Sequence, residues 1–254
     1  MKQNNLFDLN IVDANQYSIA DQLDRMLEES KFFRVLTLNS LMIMAVLSDL
    51  KLKKWLQGSD LITADGQGIV LAMQLLNNTK VDSCSGVDLV YLLLEKSYRF
   101  YFVGARNNVI NLVVDNVQKQ FKNAQICGYS HGYLSDQDED QVVADIRELK
   151  PDFILVGMGF PRQEKFIEKC SLHCDKGIAI GIGGVFDVLS GTKKKAPLFI
   201  KNSKLEWLFR AIQDPRRFML FGNLVRYVIF VFGLFIKKNF FVKKVSKNIL
   251  IMLI

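Results

Sequence analysis

The chain has 254 residues, half of them hydrophobic and 23% charged. That balance excludes a disordered chain and a multi-span membrane protein, and it suits one α/β domain carrying an appendage. The net charge of +7 is unevenly spread: residues 1–191 hold 19 Lys/Arg against 24 Asp/Glu, whereas residues 192–254 hold 14 Lys/Arg against only Glu206 and Asp214. The opening MKQNNLFDLN has no apolar segment followed by a small-residue cleavage site, so secretion is not expected. Cys84, Cys127, Cys170 and Cys174 show no paired framework, which suits a reducing compartment.

In chain order, hydrophobic periodicity predicts a helix over 18–29 (SIADQLDRMLEE), a strand over 34–39 (RVLTLN) and a second strand over 61–65 (LITAD). The second strand leads through a glycine-spaced turn into a helix. A helix follows over 86–96 (GVDLVYLLLEK), then a strand over 99–104 (RFYFVG) and a helix over 108–121 (NVINLVVDNVQKQF). The pattern continues with a strand over 124–129 (AQICGY), a helix over 138–149 (DEDQVVADIREL) and a strand over 153–159 (FILVGMG). A helix over 161–170 (PRQEKFIEKC) and a strand over 177–184 (GIAIGIGG) complete the alternation. Short apolar strands alternating with helices predict a mostly parallel sheet covered on both faces.

Residues 1–191 are therefore expected to form the α/β domain, and residues 192–254 a basic, helical C-terminal appendage. The boundary is GTKKKAP, followed by LEWLFRAIQDPRRF and the apolar stretch MLFGNLVRYVIFVFGLFI at 219–236. Lysines at 237, 238, 243, 244 and 247 come next. Eighteen apolar residues just reach the length of a membrane span. Arg226 near the middle would cost about 2.5–3.5 kcal/mol there. A helix lying in the interface avoids that cost, and each nearby cation adds about 1 kcal/mol of attraction to an anionic leaflet. Attachment to a membrane surface with anionic lipids is thus favoured over spanning. Nucleic acid is not expected as a partner, because no recognisable motif accompanies the charge. Removing everything after Thr192 is expected to give a more soluble protein with little activity.

Asp65 stands between the apolar run LITA and the spaced glycines Gly66 and Gly68. It reads either as a helix N-cap or as chemistry, since ligands bind beyond the carboxyl ends of strands in open α/β sheets. Three other strand ends carry glycines: Gly104, then Gly157 and Gly159, then Gly181, Gly183 and Gly184. The third position of a dinucleotide fingerprint is Arg162 after the second of these and Phe186 after the third, so hydride transfer is poorly supported. No Walker A pattern is present either. The glycines suit close backbone approach to a phosphate-bearing ligand such as a sugar nucleotide. His131 and His173 are the only histidines, and CSLHC has no second ligand pair, so no metal site and no cofactor are expected. Scarce histidine shifts general-base duty to a carboxylate.

The ordered motifs TLNS (37–40), TADGQG (63–68), GVDLV (86–90), YFVGA (101–105), VGMGFPRQEKF (156–166), GIGGVFDVLSGTKKKAP (181–197) and LEWLFRAIQDPRRF (205–218) together resemble the WecG/TagA/CpsF glycosyltransferases. The resemblance implies a Rossmann-like α/β domain with a membrane-targeting appendage. It implies inverting, metal-independent transfer of an N-acetylmannosamine-type sugar from a UDP donor to a polyprenyl-diphosphate-linked N-acetylglucosamine. The setting would be cell-envelope or capsular polysaccharide synthesis, on the inner face of the plasma membrane.

Carried over by position, Asp65 matches the family's proposed catalytic base, and Thr37 and Asn39 match polar pocket residues. Gln163 would reach the nucleotide or sugar from its loop, with Gly66, Gly104, Gly159, Gly183 and Gly184 lining the ligand. Arg210, Arg216 and Arg217 match basic positions that offset the charge of departing UDP or bind lipid headgroups, and Arg162 is a weaker candidate for offsetting that charge. The chain departs from the family at Ser83, where members commonly carry arginine; a phosphate contact is then either missing or supplied by Lys80. The competing reading is a catalytically inactive sugar-nucleotide-binding or scaffolding protein. A homo-oligomer is left open.

Overall fold

The computed structural model describes residues 1–197, 199–200, 203, 206–213 and 221–252. The chain opens with β1 (Gln3–Leu6), β2 (Leu9–Val12), α1 (Gln16–Leu27), β3 (Phe32–Leu38), α2 (Ser40–Val46) and α3 (Leu50–Gln57). It continues through β4 (Leu61–Ala64), α4 (Gln67–Asn77), α5 (Gly86–Leu94), β5 (Arg99–Gly104), α6 (Asn107–Gln120) and β6 (Gln125–Ser130). Then come α7 (Asp136–Leu149), β7 (Phe153–Gly157), α8 (Arg162–His173), β8 (Gly177–Gly181), α9 (Val185–Leu189), α10 (Glu206–Gln213) and α11 (Phe221–Met252).

The strands form one eight-stranded sheet in the order β1-β2-β4-β3-β8-β7-β5-β6. Only the β1–β2 pair is antiparallel. Alternation along each strand divides the core. Val35, Leu61, Phe100, Phe102, Phe153 and Ile178 join α1, α5, α6 and α9 on one face. On the other face, Leu36, Leu38, Ile62 and Ala64 pack with α2, α4 and α11, while Tyr101, Val103, Ile154 and Val156 pack with α7 and α8. The predicted parallel sheet with helices on both faces is what the chain forms, and all four cysteines are free thiols.

The hairpin of β1 and β2 was not expected. Its Asn-rich first strand carries little β propensity. Its two-residue turn uses Phe7 and Asp8, both at positive φ (55° and 65°), in place of the Asn-Gly that usually marks such turns.

At the opposite half of the sheet, Gly104 ends β5 with φ +143°, and a Cβ there would lie 2.5 Å from the carbonyl carbon of Gly157 on β7. Close packing of the strand ends by itself demands this glycine. Gly104→Ala combines backbone strain with a clash against main chain, and is expected to lower stability by roughly 2–4 kcal/mol in urea unfolding.

The C-terminal region does more than extend away from the sheet. The phenol of Tyr227 on α11 is fully buried and donates a 2.9 Å hydrogen bond to the carbonyl of Gly68 in the first turn of α4. Val231 is buried beside it among side chains of α2 and α4, and the Phe230 ring lies 5.6 Å from that of Phe7. The stretch read as a surface helix therefore has one flank inside the protein. The opposite flank is apolar and exposed: Val225, Val228, Ile229, Phe232 and Ile236 recur at intervals of three and four, with Ile229 66% exposed. Among the described residues, no helix is long and apolar enough to cross a membrane.

Part of the basic run is also neutralised locally. Lys193 pairs with Asp187 at 2.6 Å, and Lys195 pairs with Asp88 at 3.1 Å while stacking 4.0 Å over the Tyr91 ring. Gln213 of α10 brackets Lys194, accepting from its N–H at 2.5 Å and donating to its carbonyl at 3.1 Å.

Candidate active site

Adjacent strands β3 and β8 send their following helices, α2 and α9, to opposite faces of the sheet. Such a divergence opens a crevice beyond the carboxyl ends of the strands. Thr37, buried near the end of β3, spans the divergence by donating from Oγ1 to the Gly181 carbonyl of β8 at 2.8 Å.

Asp65 follows β4 beside this point. Its N–H donates to Leu38 O at 2.8 Å, which ties it to the end of β3. The next residue, Gly66, has φ +89°, a conformation open to glycine and costly for other residues. Gly66 N–H donates to Ser83 Oγ at 3.2 Å, and that hydroxyl lies 3.4 Å from Ala64 O. Ser83 therefore braces the turn that carries Asp65. The N-cap of α4 is Gly66, without a side-chain cap bond, so Asp65 stands one residue outside the helix.

The Asp65 carboxylate and the Thr37 hydroxyl border the same space. A Cβ added to Gly86, the first residue of α5, would lie 3.8 Å from Asp65 Oδ2 and 3.8 Å from Thr37 Oγ1. Both groups thus face the start of α5, where glycine puts no side chain between them. Burial first, then the carboxylates of Asp65 and Asp88, pushes the Cys84 thiol up to about 12.

The other expected site residues divide by what they touch. Asn39 is the N-cap of α2, its Oδ1 accepting from Leu41 N at 3.0 Å and Met42 N at 3.2 Å. Its oxygen is thus committed to the helix, and its amide N–H₂ is what it can offer a ligand. Gln163, expected to reach a ligand, is 1% exposed and turned inward. Its Oε1 accepts from Gly183 N at 3.1 Å, and its Nε2 donates to Glu164 at 2.8 Å. Arg162 is directed to the loop after β6, donating to Gly132 O at 2.6 Å with its guanidinium 5.5 Å from the Tyr133 ring centroid.

Gly66, Gly159 and Gly183 have open space where a side chain would be, at the ends of β4, β7 and β8. Gly184 opens α9 as an N-cap without a side-chain bond. Arg210 lies on α10, but its side chain, and Arg216 and Arg217 entirely, lie outside the described residues. Among the described residues, no cluster of three or more His, Cys, Asp or Glu is disposed to hold a metal ion. Glu164 and Tyr227 carry contacts that sequence reading missed. Glu164 was hidden inside PRQE as a neighbour of the more obvious Gln163, and Tyr227 inside an apolar run.

A mostly parallel sheet with polar side chains gathered where neighbouring strands diverge defines a doubly wound α/β enzyme. The chain belongs to the WecG/TagA/CpsF family of glycosyl transferases, whose family model matches residues 4–244. It is 32% identical over 253 residues to an N-acetylglucosaminyldiphosphoundecaprenol N-acetyl-beta-D-mannosaminyltransferase of Bacillus subtilis (strain 168), covering 98% of both chains. A protein of the same name from Bacillus spizizenii is 33% identical over 226 residues, 87% of each chain. One from Staphylococcus aureus (strain MW2) is 32% identical over 175 residues, 67% of each chain.

Proposed function

We propose that this enzyme transfers N-acetylmannosamine from a UDP donor to N-acetylglucosamine on a polyprenyl diphosphate, with inversion and without a metal, in building a cell-envelope polysaccharide. The reading is supported by Asp65 just beyond the end of β4, facing the same point at the start of α5 as Thr37 at the sheet's divergence. An acceptor hydroxyl must lose its proton as it attacks the anomeric carbon, and a carboxylate within hydrogen-bond reach accepts it. Inversion follows when the attack comes opposite the leaving UDP. The open turns at Gly159 and Gly183 suit backbone approach to the donor. Charge developing on UDP is offset by preorganised donors; Arg210, Arg216 and Arg217 are assigned that role.

A polyprenyl acceptor is held in lipid, and the exposed stripe of Val225, Ile229, Phe232 and Ile236 supports α11 lying on the membrane surface. The enzyme would then work as a peripheral protein on the inner leaflet, its remaining cations facing anionic headgroups.

The test is UDP release from a panel of UDP-sugars with a polyprenyl-diphosphate-N-acetylglucosamine analogue, in a chelator-containing buffer. Acceptor-dependent release with UDP-N-acetylmannosamine, giving a β-linked product from the α-linked donor, is the expected result. No release from any donor, in folded and lipid-bound protein, would overturn the reading in favour of an inactive sugar-nucleotide-binding protein.

A further inference from the structure

We propose that Glu164 is a positioning residue that sets the active-site crevice through Gln163, the turn after β8 and Thr37; the proposal rests on the assignment of that crevice as the site of transfer. The connections are continuous. Gln163 Nε2 donates to Glu164 Oε1 at 2.8 Å, and Gln163 Oε1 accepts from Gly183 N at 3.1 Å. Two residues back, the Gly181 carbonyl accepts from Thr37 Oγ1 at 2.8 Å. Thr37 in turn faces the same point at the start of α5 as Asp65. The pair lies directly under the end of β8, since a Cβ on Gly181 would come within 2.6 Å of Gln163 Nε2 and 3.3 Å of Glu164 Oε1.

An amide side chain can be turned end for end, and only one of its two orientations places oxygen toward the Gly183 N–H. Glu164 and the Gly183 N–H make the same choice from opposite ends. A carboxylate accepts and has no proton to give, so it selects Nε2 on its own side and leaves Oε1 for Gly183. The protonated carboxyl keeps an acceptor oxygen and preserves the same choice. A leucine of similar bulk would fill the space but leave Nε2 without its acceptor, so that the amide is held at one end only.

The group is an expensive one to keep. Glu164 is 8% exposed, and its Oε2 is buried with no hydrogen-bond partner among the described residues. Burial pushes the carboxyl up to about 7, against the opposing effect of the hydrogen bonds from Gln163 and its own N–H. The charged groups sharing its cavity are Arg34 of β3 and Glu168 of α8; α3 contributes Trp55, and the following loop Ser59. The Arg34 guanidinium is occupied by the Gly58 carbonyl. A buried carboxyl with one orphaned oxygen destabilises the fold relative to an apolar side chain, so packing alone does not account for it.

The sign of the pH dependence follows. A folded value raised above the unfolded one means that the folded state keeps a proton the unfolded state has released, and stability falls as pH rises through about 7. Glu164→Gln and Glu164→Leu should therefore both melt higher than wild type at pH 8 and lose that advantage at pH 5. Melting does not separate a positioning role from a structural one, whereas turnover and the Gly183 amide do.

The experiment compares wild type, Glu164→Gln and Glu164→Leu in kcat, donor KM and the backbone amide resonance of Gly183 in ¹⁵N-labelled full-length protein. Glu164→Gln presents an amide oxygen to Gln163 and is expected to keep kcat within about threefold and the Gly183 resonance near its wild-type position. Glu164→Leu is expected to shift that resonance and to lower kcat by about tenfold to a hundredfold with a smaller change in KM, as for misplacement of a reacting group. The proposal is overturned if Glu164→Leu leaves the Gly183 resonance in place, if it turns over like wild type, or if Glu164→Gln is as impaired as Glu164→Leu. The resonance is read without substrate, so the relay stands or falls there even where the donor or acceptor has been misassigned.

Discussion

Asp65→Asn is expected to lower acceptor-dependent sugar transfer by about 10²–10⁴-fold, the range set by loss of a positioned general base. UDP affinity should stay within about twofold of wild type, because the proposed base acts on the acceptor hydroxyl and not on the nucleotide. The substitution is nearly isosteric, and it leaves in place two backbone N–H anchors of the turn: Asp65 N–H on Leu38 O, and Gly66 N–H on Ser83 Oγ. Melting temperature should consequently change little, which separates lost chemistry from lost fold. Steady-state UDP release and UDP titration calorimetry on the same preparations supply both numbers. If the variant retains more than a few per cent of wild-type turnover, the base lies elsewhere in the crevice.

Ending the chain after Thr192 is the second large perturbation. It deletes α10 and α11, and with them the cover that Tyr227 and Val231 provide over Ile43, Ile69 and Met73. Losing two fully buried side chains of this size costs roughly 3–6 kcal/mol in transfer terms alone. It also uncovers an apolar face on α2 and α4. The sequence suggested that the truncated protein would be more soluble; the docked helix reverses that expectation. The shortened chain should melt lower, scatter light as a self-associating species and transfer little sugar. A monodisperse monomer with full turnover would show that α10 and α11 are dispensable to both fold and reaction.

The parallel sheet was readable because its central strands are short, nearly continuous apolar runs between amphipathic helices. FILVG and GIAIG are buried on both faces, and no helix of that length competes with such a pattern. Elements at the sheet's margin were harder. β1 and β2 owe their pairing to a Phe-Asp turn with no glycine, and α2 is held by Asn39 as N-cap, a role that a polar residue inside TLNS does not advertise.

Within the candidate site, the place of Asp65 was legible because it follows an apolar strand and precedes spaced glycines, whereas Thr37 was reached only through the resemblance of TLNS to the family. The inward turn of Gln163 was not legible, because it depends on Glu164 and on Gly183, which lies twenty residues away in the chain. The packing demand on Gly104 was hidden for a similar reason: glycines that admit a ligand and glycines that admit a neighbouring strand look alike until the strands are paired. The double character of α11, one flank packed and the other bare, was also invisible, since both flanks are apolar and periodicity alone gives no contrast between them.

The hydrogen bond from Tyr227 to Gly68 joins α11 to the chain three residues beyond Asp65. Between that helix and the turn carrying Asp65 stand a buried aromatic ring and the first turn of α4. Any change in how α11 seats on α2 and α4 therefore reaches the turn carrying Asp65 through a single buried phenol.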